Sequence, residues 1–106
     1  MRPGHSFGDV FDAHARVMES HDLVRHRLAA CGYSVGARFA PSWMDPQMFV
    51  SGNAEPILPN MTLFAHMILM DSDQNVAMTL GRTYLTTAGA PEPLSRLPLD
   101  LAVAGG

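Results

Sequence analysis

Residues 57–87 decide the fold and read ILPNMTLFAHMILM (57–70), DSDQN (71–75) and VAMTLGRTYLTT (76–87). The run at 61–70 is almost unbroken in its apolar character, too apolar for a surface strand and far too short to cross a bilayer. Residues 71–75 are turn formers, and residues 76–87 are rich in Thr, Val, Leu and Tyr, which favour strands. The stretch therefore predicts a long buried strand, a tight turn and one or two antiparallel return strands.

Two polar residues interrupt this apolar block. His66 lies in the middle of the first predicted strand, and Arg82 follows Gly81 in the return. Because polar side chains are costly to place in a core without a partner, these two residues are the first candidates for a site.

Composition indicates one globular domain over residues 1–106, with 47% apolar and only 16% charged residues. So few charges leave much apolar surface to be covered, either by a large core or by a partner, and we favour a partner. The net charge of −3 with no lysine argues against nucleic acid and anionic membranes as partners. A single cysteine, Cys31, with no visible signal peptide or membrane segment, predicts a cytoplasmic protein.

The pattern before the central block predicts one helix at 7–19, opened by Ser6 with Asp9 at capping-box spacing. His14 lies on its apolar stripe and is expected to be partly buried. A short second helix is expected to begin after Asp22 and to end at Arg27 or Leu28.

The connecting segments are expected to be mostly irregular. The pattern predicts a bend at 29–36, a short strand at 37–40 and a long irregular region at 41–59 whose apolar side chains pack against the domain. Beyond the central block, the prolines at 91–98 exclude a helix or a central strand. The alternating apolar residues at 97–103 predict an edge strand or a segment that lies across a partner.

Four motifs resemble those of the creatinase, prolidase and aminopeptidase P superfamily. They are CGYSVG at 31–36, LPNM at 58–61, GRTYLTT at 81–87, and the opening RPG at 2–4 followed by GDV at 8–10. The resemblance is greatest to creatinase-like and ectoine-hydrolase-like members, which work without metal. It implies the family's "pita-bread" fold, here an α+β domain with an antiparallel sheet and one or two helices packed on one face.

The departures from that family bear on function. Its metal-dependent members hold two divalent ions with two Asp, one His and two Glu, and in this chain Tyr33, His66 and Arg82 stand at the His and the two Glu positions. The two Asp belong to a preceding half of the family domain that these residues do not include. Since hard divalent ions require carboxylate oxygens, we expect no metal, no other cofactor and no two-metal mechanism.

The resemblance also implies that the chain corresponds to the second half of a pita-bread domain. Half of such a sheet leaves an open edge and an uncovered apolar face. Two copies that pair about a twofold axis would cover both, so we expect a homodimer.

The resemblance places Tyr33, His66 and Arg82 in one pocket, where they suit a small zwitterionic ligand. His66 is the candidate general acid or base, Tyr33 the candidate oxyanion donor and Arg82 the candidate partner of a substrate carboxylate. The alternative is that they fill space, with Arg82 paired to Asp71 or Asp73 across the hairpin, and this alternative is favoured for the chain alone.

Two functions follow from the sequence. The first is enzymatic: a metal-independent, Xaa-Pro dipeptidase-like or creatinase-like C–N hydrolase domain that lacks the family's metal ligands, or the C-terminal part of such an enzyme. The second is a non-catalytic, dimerising half-domain that binds a small molecule or a full-length relative.

Overall fold

The computed structural model describes residues 1–105. It contains one α-helix, α1 (Phe7–Ser20), and five strands, β1 (Ala30–Val35), β2 (Met44–Val50), β3 (Thr62–Asp71), β4 (Val76–Leu85) and β5 (Glu92–Pro93). The strands form a single antiparallel sheet in the order β2-β1-β3-β4-β5. The predicted α+β class, with a helix packed on one face of an antiparallel sheet, is confirmed.

The predicted long hairpin forms as β3 and β4 and lies in the middle of the sheet, but β3 is half-buried over most of its length rather than buried. Its register is unbroken over ten pairs, from Thr62 with Leu85 to Asp71 with Val76. The Asp71 carboxylate closes the turn because it accepts hydrogen bonds from the backbone amides of Asp73 (3.0 Å) and Gln74 (3.1 Å). These bonds, that of Gln74 foremost, hold the pKa of Asp71 below its usual value.

The predictions for residues 29–59 are wrong in three places. Residues 30–35 form β1 rather than a bend, residues 37–40 contain no strand, and residues 44–50 form β2 inside the region expected to be irregular. Two register shifts in β1 explain the first error, since they destroy the alternation by which a strand is recognised. Gly32, with φ of +147°, allows this irregular path.

Two further elements differ from prediction. The expected second helix is a single 3-10 turn at Val24–His26. The expected edge strand at 97–103 does not form, and the two-residue β5 is the outermost strand instead. Pro98 explains the second difference, because proline cannot donate a hydrogen bond to a sheet.

Helix α1 begins at the predicted capping box. The Ser6 hydroxyl accepts from the Asp9 amide at 3.1 Å, and the Asp9 carboxylate accepts from the Ser6 amide at 2.8 Å. The apolar stripe of the helix packs against one face of the sheet, and the buried hydrophobic core lies between them. It consists of Phe7, Phe11, Cys31, Phe49, Ile57 and Leu63. No helix within residues 1–105 has the length and apolar content needed to cross a membrane.

The two faces of the hairpin have different neighbours. On β3, Leu63, Met67 and Leu69 lie on the helix face, which carries the core and a groove beside α1. Phe64 and His66 alternate with them and lie on the opposite side, which we call the open face.

Candidate functional site

Three rings form a cluster on the open face. The ring centroid of Phe64 lies 4.9 Å from that of His66 and 5.5 Å from that of Tyr33, and the centroids of Tyr33 and His66 lie 6.3 Å apart. Strand register explains the arrangement: Tyr33 of β1 pairs with Phe64 of β3, and His66 follows two residues later on the same face. Tyr33 and His66 are therefore brought together as predicted.

Trp43 extends the cluster from the segment between β1 and β2. Its indole Nε1–H donates a hydrogen bond of 3.0 Å to the Tyr33 hydroxyl oxygen, while 65% of the Trp43 surface remains exposed. Because that oxygen accepts the hydrogen bond from the indole N–H, the Tyr33 hydroxyl keeps its own proton available for donation to another acceptor.

Beside His66 the open face carries a shallow cavity of about 310 Å³. It is lined by His66, Ile68, Met70, Ala77, Met78 and Thr79. The lining is apolar apart from the His66 ring and the Thr79 hydroxyl, so it suits the apolar part of a ligand.

Arg82 does not join this cluster. It pairs with Ala65, whereas the residue paired with His66 is Gly81, so Arg82 projects from the helix face. The expectation that Tyr33, His66 and Arg82 converge on one pocket is therefore wrong for Arg82. The place opposite His66 is filled instead by the Phe64 ring, since a Cβ added at Gly81 would lie 2.6 Å from Phe64 Cζ.

The alternative pairing of Arg82 with an aspartate is also wrong. The Arg82 guanidinium donates to the backbone carbonyl of Leu97. Asp73 pairs with Arg25 at 3.3 Å, and Asp71 lies 3.7 Å from His26 Nε2. Arg82 thus connects the helix face of β4 to the C-terminal segment.

The side chains around His66 do not fit the two-metal centre of the family's metal-dependent members. Within residues 1–105 no three His, Cys, Asp or Glu side chains lie close enough to hold a metal ion. The nearest ring neighbours of His66 are Phe64 and Tyr33, and Gly81 offers no side chain opposite it.

The thiol of Cys31 and the imidazole of His14 lie buried on the helix face. Burial raises the pKa of the Cys31 thiol to about 12, so the thiol is a core group rather than a nucleophile. Burial, helped by the Arg27 charge, lowers the pKa of His14. His14 lines an apolar groove of about 550 Å³ between α1 and the hairpin, and none of the three predicted site residues lines that groove.

The sequence interpretation missed Trp43 and Phe64 as site residues. The position of Phe64 was available, because it lies two residues before His66 and must share its face in a strand. Trp43 was recognised only as part of an apolar segment, and no periodic pattern could show that its indole reaches Tyr33.

The comparisons with known proteins give a fold but no family. No protein-family model and no curated protein matches the sequence. Among solved structures, the chain is similar to the dipeptidase PepE from Mycobacterium ulcerans, with a TM-score of 0.84 and 17% sequence identity. The match covers 94% of this chain and 26% of that one. The chain thus has the fold of about a quarter of that dipeptidase.

Proposed function

We propose that this chain is a dipeptidase-like hydrolase domain in which the open face forms one wall of a binding site for a small peptide or zwitterion. The observation that supports this most directly is the cluster of buried Tyr33 with half-buried Phe64 and His66, on the face of a dipeptidase-like fold opposite α1. The other walls of the binding site are supplied by the protein surface that covers the open face. By itself the domain binds but does not catalyse metal-dependent hydrolysis.

The chemistry available on this wall is proton transfer and hydrogen-bond donation. The imidazole of His66 serves as a general acid or base for water that attacks an amide carbon. The phenol proton of Tyr33, left free by the bond from Trp43, points to a role as donor to a developing oxyanion.

The lining also restricts the ligand. Arg82 lies on the helix face, so it does not bind the carboxylate of a ligand on the open face. The exposed indole of Trp43 and the Phe64 ring suit an apolar ring such as that of proline, which packs well against aromatic faces. An Xaa-Pro dipeptide has such a ring, and the buried single cysteine agrees with a reducing, cytoplasmic setting.

A titration of the chain with Ala-Pro, creatine and ectoine, followed by thermal shift, tests this proposal. Binding to the native state alone raises Tm, by an amount equivalent to about 2.7 kcal/mol at a hundredfold excess over Kd. We expect one ligand to raise Tm in the wild type and in Arg82→Ala, and to lose its effect in His66→Ala and Trp43→Ala. No shift with any ligand, or an equal shift in all four proteins, argues against the open face as the binding wall.

The second candidate function is the non-catalytic half-domain, a homodimer or the partner of a full-length relative. The missing carboxylates favour it, because His66 is the single strong proton-transfer group in the aromatic cluster. Product analysis of Ala-Pro incubated with the chain separates the two candidates. Release of proline that disappears in His66→Ala supports a hydrolase, whereas binding without release supports the half-domain.

A further inference from the structure

The outer edge of β4 is largely unpaired in the described chain. Strand β5 pairs only with Tyr84 and Leu85, and one more hydrogen bond joins the Leu94 amide to the Thr83 carbonyl. No strand within residues 1–105 pairs with the outer edge of residues 76–82. Such an edge is a ready template for another strand.

The bond to Leu94 identifies which backbone groups of β4 point outward. Because the Thr83 carbonyl faces β5 and the two sides of a strand alternate, the amides and carbonyls of Ala77, Thr79 and Gly81 also face the outer edge. The groups of Met78 and Leu80 face β3 instead. The free edge therefore offers three amide–carbonyl sets in a row.

The side chains beside this edge are uncharged, and most of them are apolar and exposed. Val76 and Met78 keep 54% and 53% of their surface exposed, and residues 76–81 carry no charge. An edge strand that stands alone usually carries charges, prolines or bulges that block pairing. This edge carries none of them over six residues.

The chain exposes more surface than a globular monomer of its size. A globular monomer of this size exposes about 5,800 Å², whereas this chain exposes 7310 Å². The excess of about 1,500 Å² exceeds the roughly 800 Å² that each partner buries in a standard-size interface. Exposed apolar side chains lie both in the C-terminal segment, at Leu97, Leu101 and Val103, and on β4, at Val76 and Met78.

The chain's own C-terminal segment is a poor occupant of the edge. If the pairing of Leu94 with Thr83 continued, the position opposite Thr79 would be Pro98. At that position an inward amide is needed, and proline has none. The structure agrees, since pairing stops at Leu94.

We propose that the outer edge of β4, residues 76–82, pairs antiparallel with the same edge of a second copy of this chain. The free segment is centred on Thr79, so a twofold axis near Thr79 sets Met78 beside the partner's Leu80 and joins two five-stranded sheets into one. A twofold contact of this kind uses one patch twice, as most homodimers do. This proposal rests on the half-domain function and identifies its partner as a second copy of the chain. In the joined sheet the open faces of both copies lie on the same side.

Sedimentation equilibrium on the full chain without ligand, with Thr79→Pro and Thr79→Val, tests this. Proline removes an outward amide and leaves the bonds to β3 intact, whereas valine keeps the amide and suits a strand. We expect twice the chain mass for the wild type and Thr79→Val, and a single chain mass for Thr79→Pro with an unchanged far-UV spectrum. A monomeric wild type, or a Thr79→Pro dimer as tight as the wild type, overturns the proposal.

Two more variants locate the contact. Paired residues in an antiparallel ladder have Cα atoms about 5.5 Å apart, which a disulfide spans. Oxidised Thr79→Cys is therefore expected to give a covalent dimer, while Ser72→Cys in the hairpin turn is not; crosslinking at Ser72 alone contradicts the contact. If the full chain is monomeric and dimerises only after deletion of residues 95–106, the chain's own C-terminal segment covers the edge. That result also overturns the proposal. Because Thr79 also lines the open-face cavity, ligand titration of the wild type at concentrations below and above its dimer dissociation constant tests the binding wall separately.

Discussion

The hydroxyl of Thr86 joins the loop before β3 to the end of β4 through hydrogen bonds. Removing this hydroxyl is expected to destabilise the fold strongly. Thr86 is 0% exposed. Its Oγ1 accepts a hydrogen bond of 2.8 Å from the Met61 amide and donates one of 2.6 Å to the Leu58 carbonyl. Backbone bonds from Asn60 to Thr86 and from Thr86 to Met61 lie beside them. Valine has nearly the same shape as threonine, so Thr86→Val removes the hydroxyl without making a cavity.

The expected loss follows from the two side-chain hydrogen bonds. Each bond contributes about 1 kcal/mol net, and a buried donor left without a partner costs about 1–3 kcal/mol. Leu58 lies near the surface, so water can bond to its carbonyl once the hydroxyl is removed. We therefore expect the full cost of an unpaired buried group only for the Met61 amide. The sum is a destabilisation of about 2–3 kcal/mol, which corresponds to a fall in Tm of roughly 10–20 °C for a domain of this size.

Urea denaturation followed by far-UV circular dichroism measures this loss, with Thr86→Ser as the matched control. Serine keeps the hydroxyl and loses one methyl group, so its expected cost is about 0.8 kcal/mol. The reasoning is refuted if Thr86→Val is as stable as Thr86→Ser or more stable. The hydroxyl would then contribute no more to the free energy of unfolding than the methyl group does.

Two further predictions concern buried titratable groups. Burial lowers the pKa of His14, so between the ordinary histidine pKa of about 6.5 and its lowered value the unfolded chain binds the proton more readily. Stability is therefore expected to fall as pH drops from 7.5 to 5.5, measured as the urea midpoint, and His14→Gln should reduce that fall; an identical pH dependence in both proteins contradicts this role. The Cys31 thiol, with a pKa of about 12, is expected to react with a thiol reagent at pH 8 far more slowly in the native state than in urea. Fast labelling of native protein would show that the core around Cys31 opens readily.

The sequence predicted what strong local patterns control. Helix α1 was predicted to within a residue of its end because the capping box and the apolar stripe agree. The β3–β4 hairpin was predicted because a long apolar run, a turn cluster and a strand-favouring return follow one another. In both elements the signal comes from residues that are consecutive in the sequence.

The errors lie where long-range packing overrides pattern. Strand β1 was interpreted as a bend because Gly32 and two register shifts mask its alternation, and its strand form depends on pairing with both β2 and β3. Strand β2 contains Pro46 and Gln47, the latter at φ +78°, so nothing local favours a strand there.

The candidate site was half predicted for a similar reason. The structure brings the rings of His66 and Tyr33 together, but the resemblance assigned Arg82 to the same pocket, and a displacement by one residue reverses the face of a strand. Strand pairing, which the sequence does not reveal, decides that Gly81 rather than Arg82 lies opposite His66.

Amide hydrogen exchange along β4, recorded at low and high protein concentration, tests most directly the claim that this sheet is completed by a partner. The amides of Met78 and Leu80 face β3 and are expected to be protected at both concentrations. Those of Ala77, Thr79 and Gly81 face the free edge and are expected to gain protection only at high concentration. Uniformly fast exchange of these three at every concentration would contradict the account, because the edge of β4 would then remain open in solution.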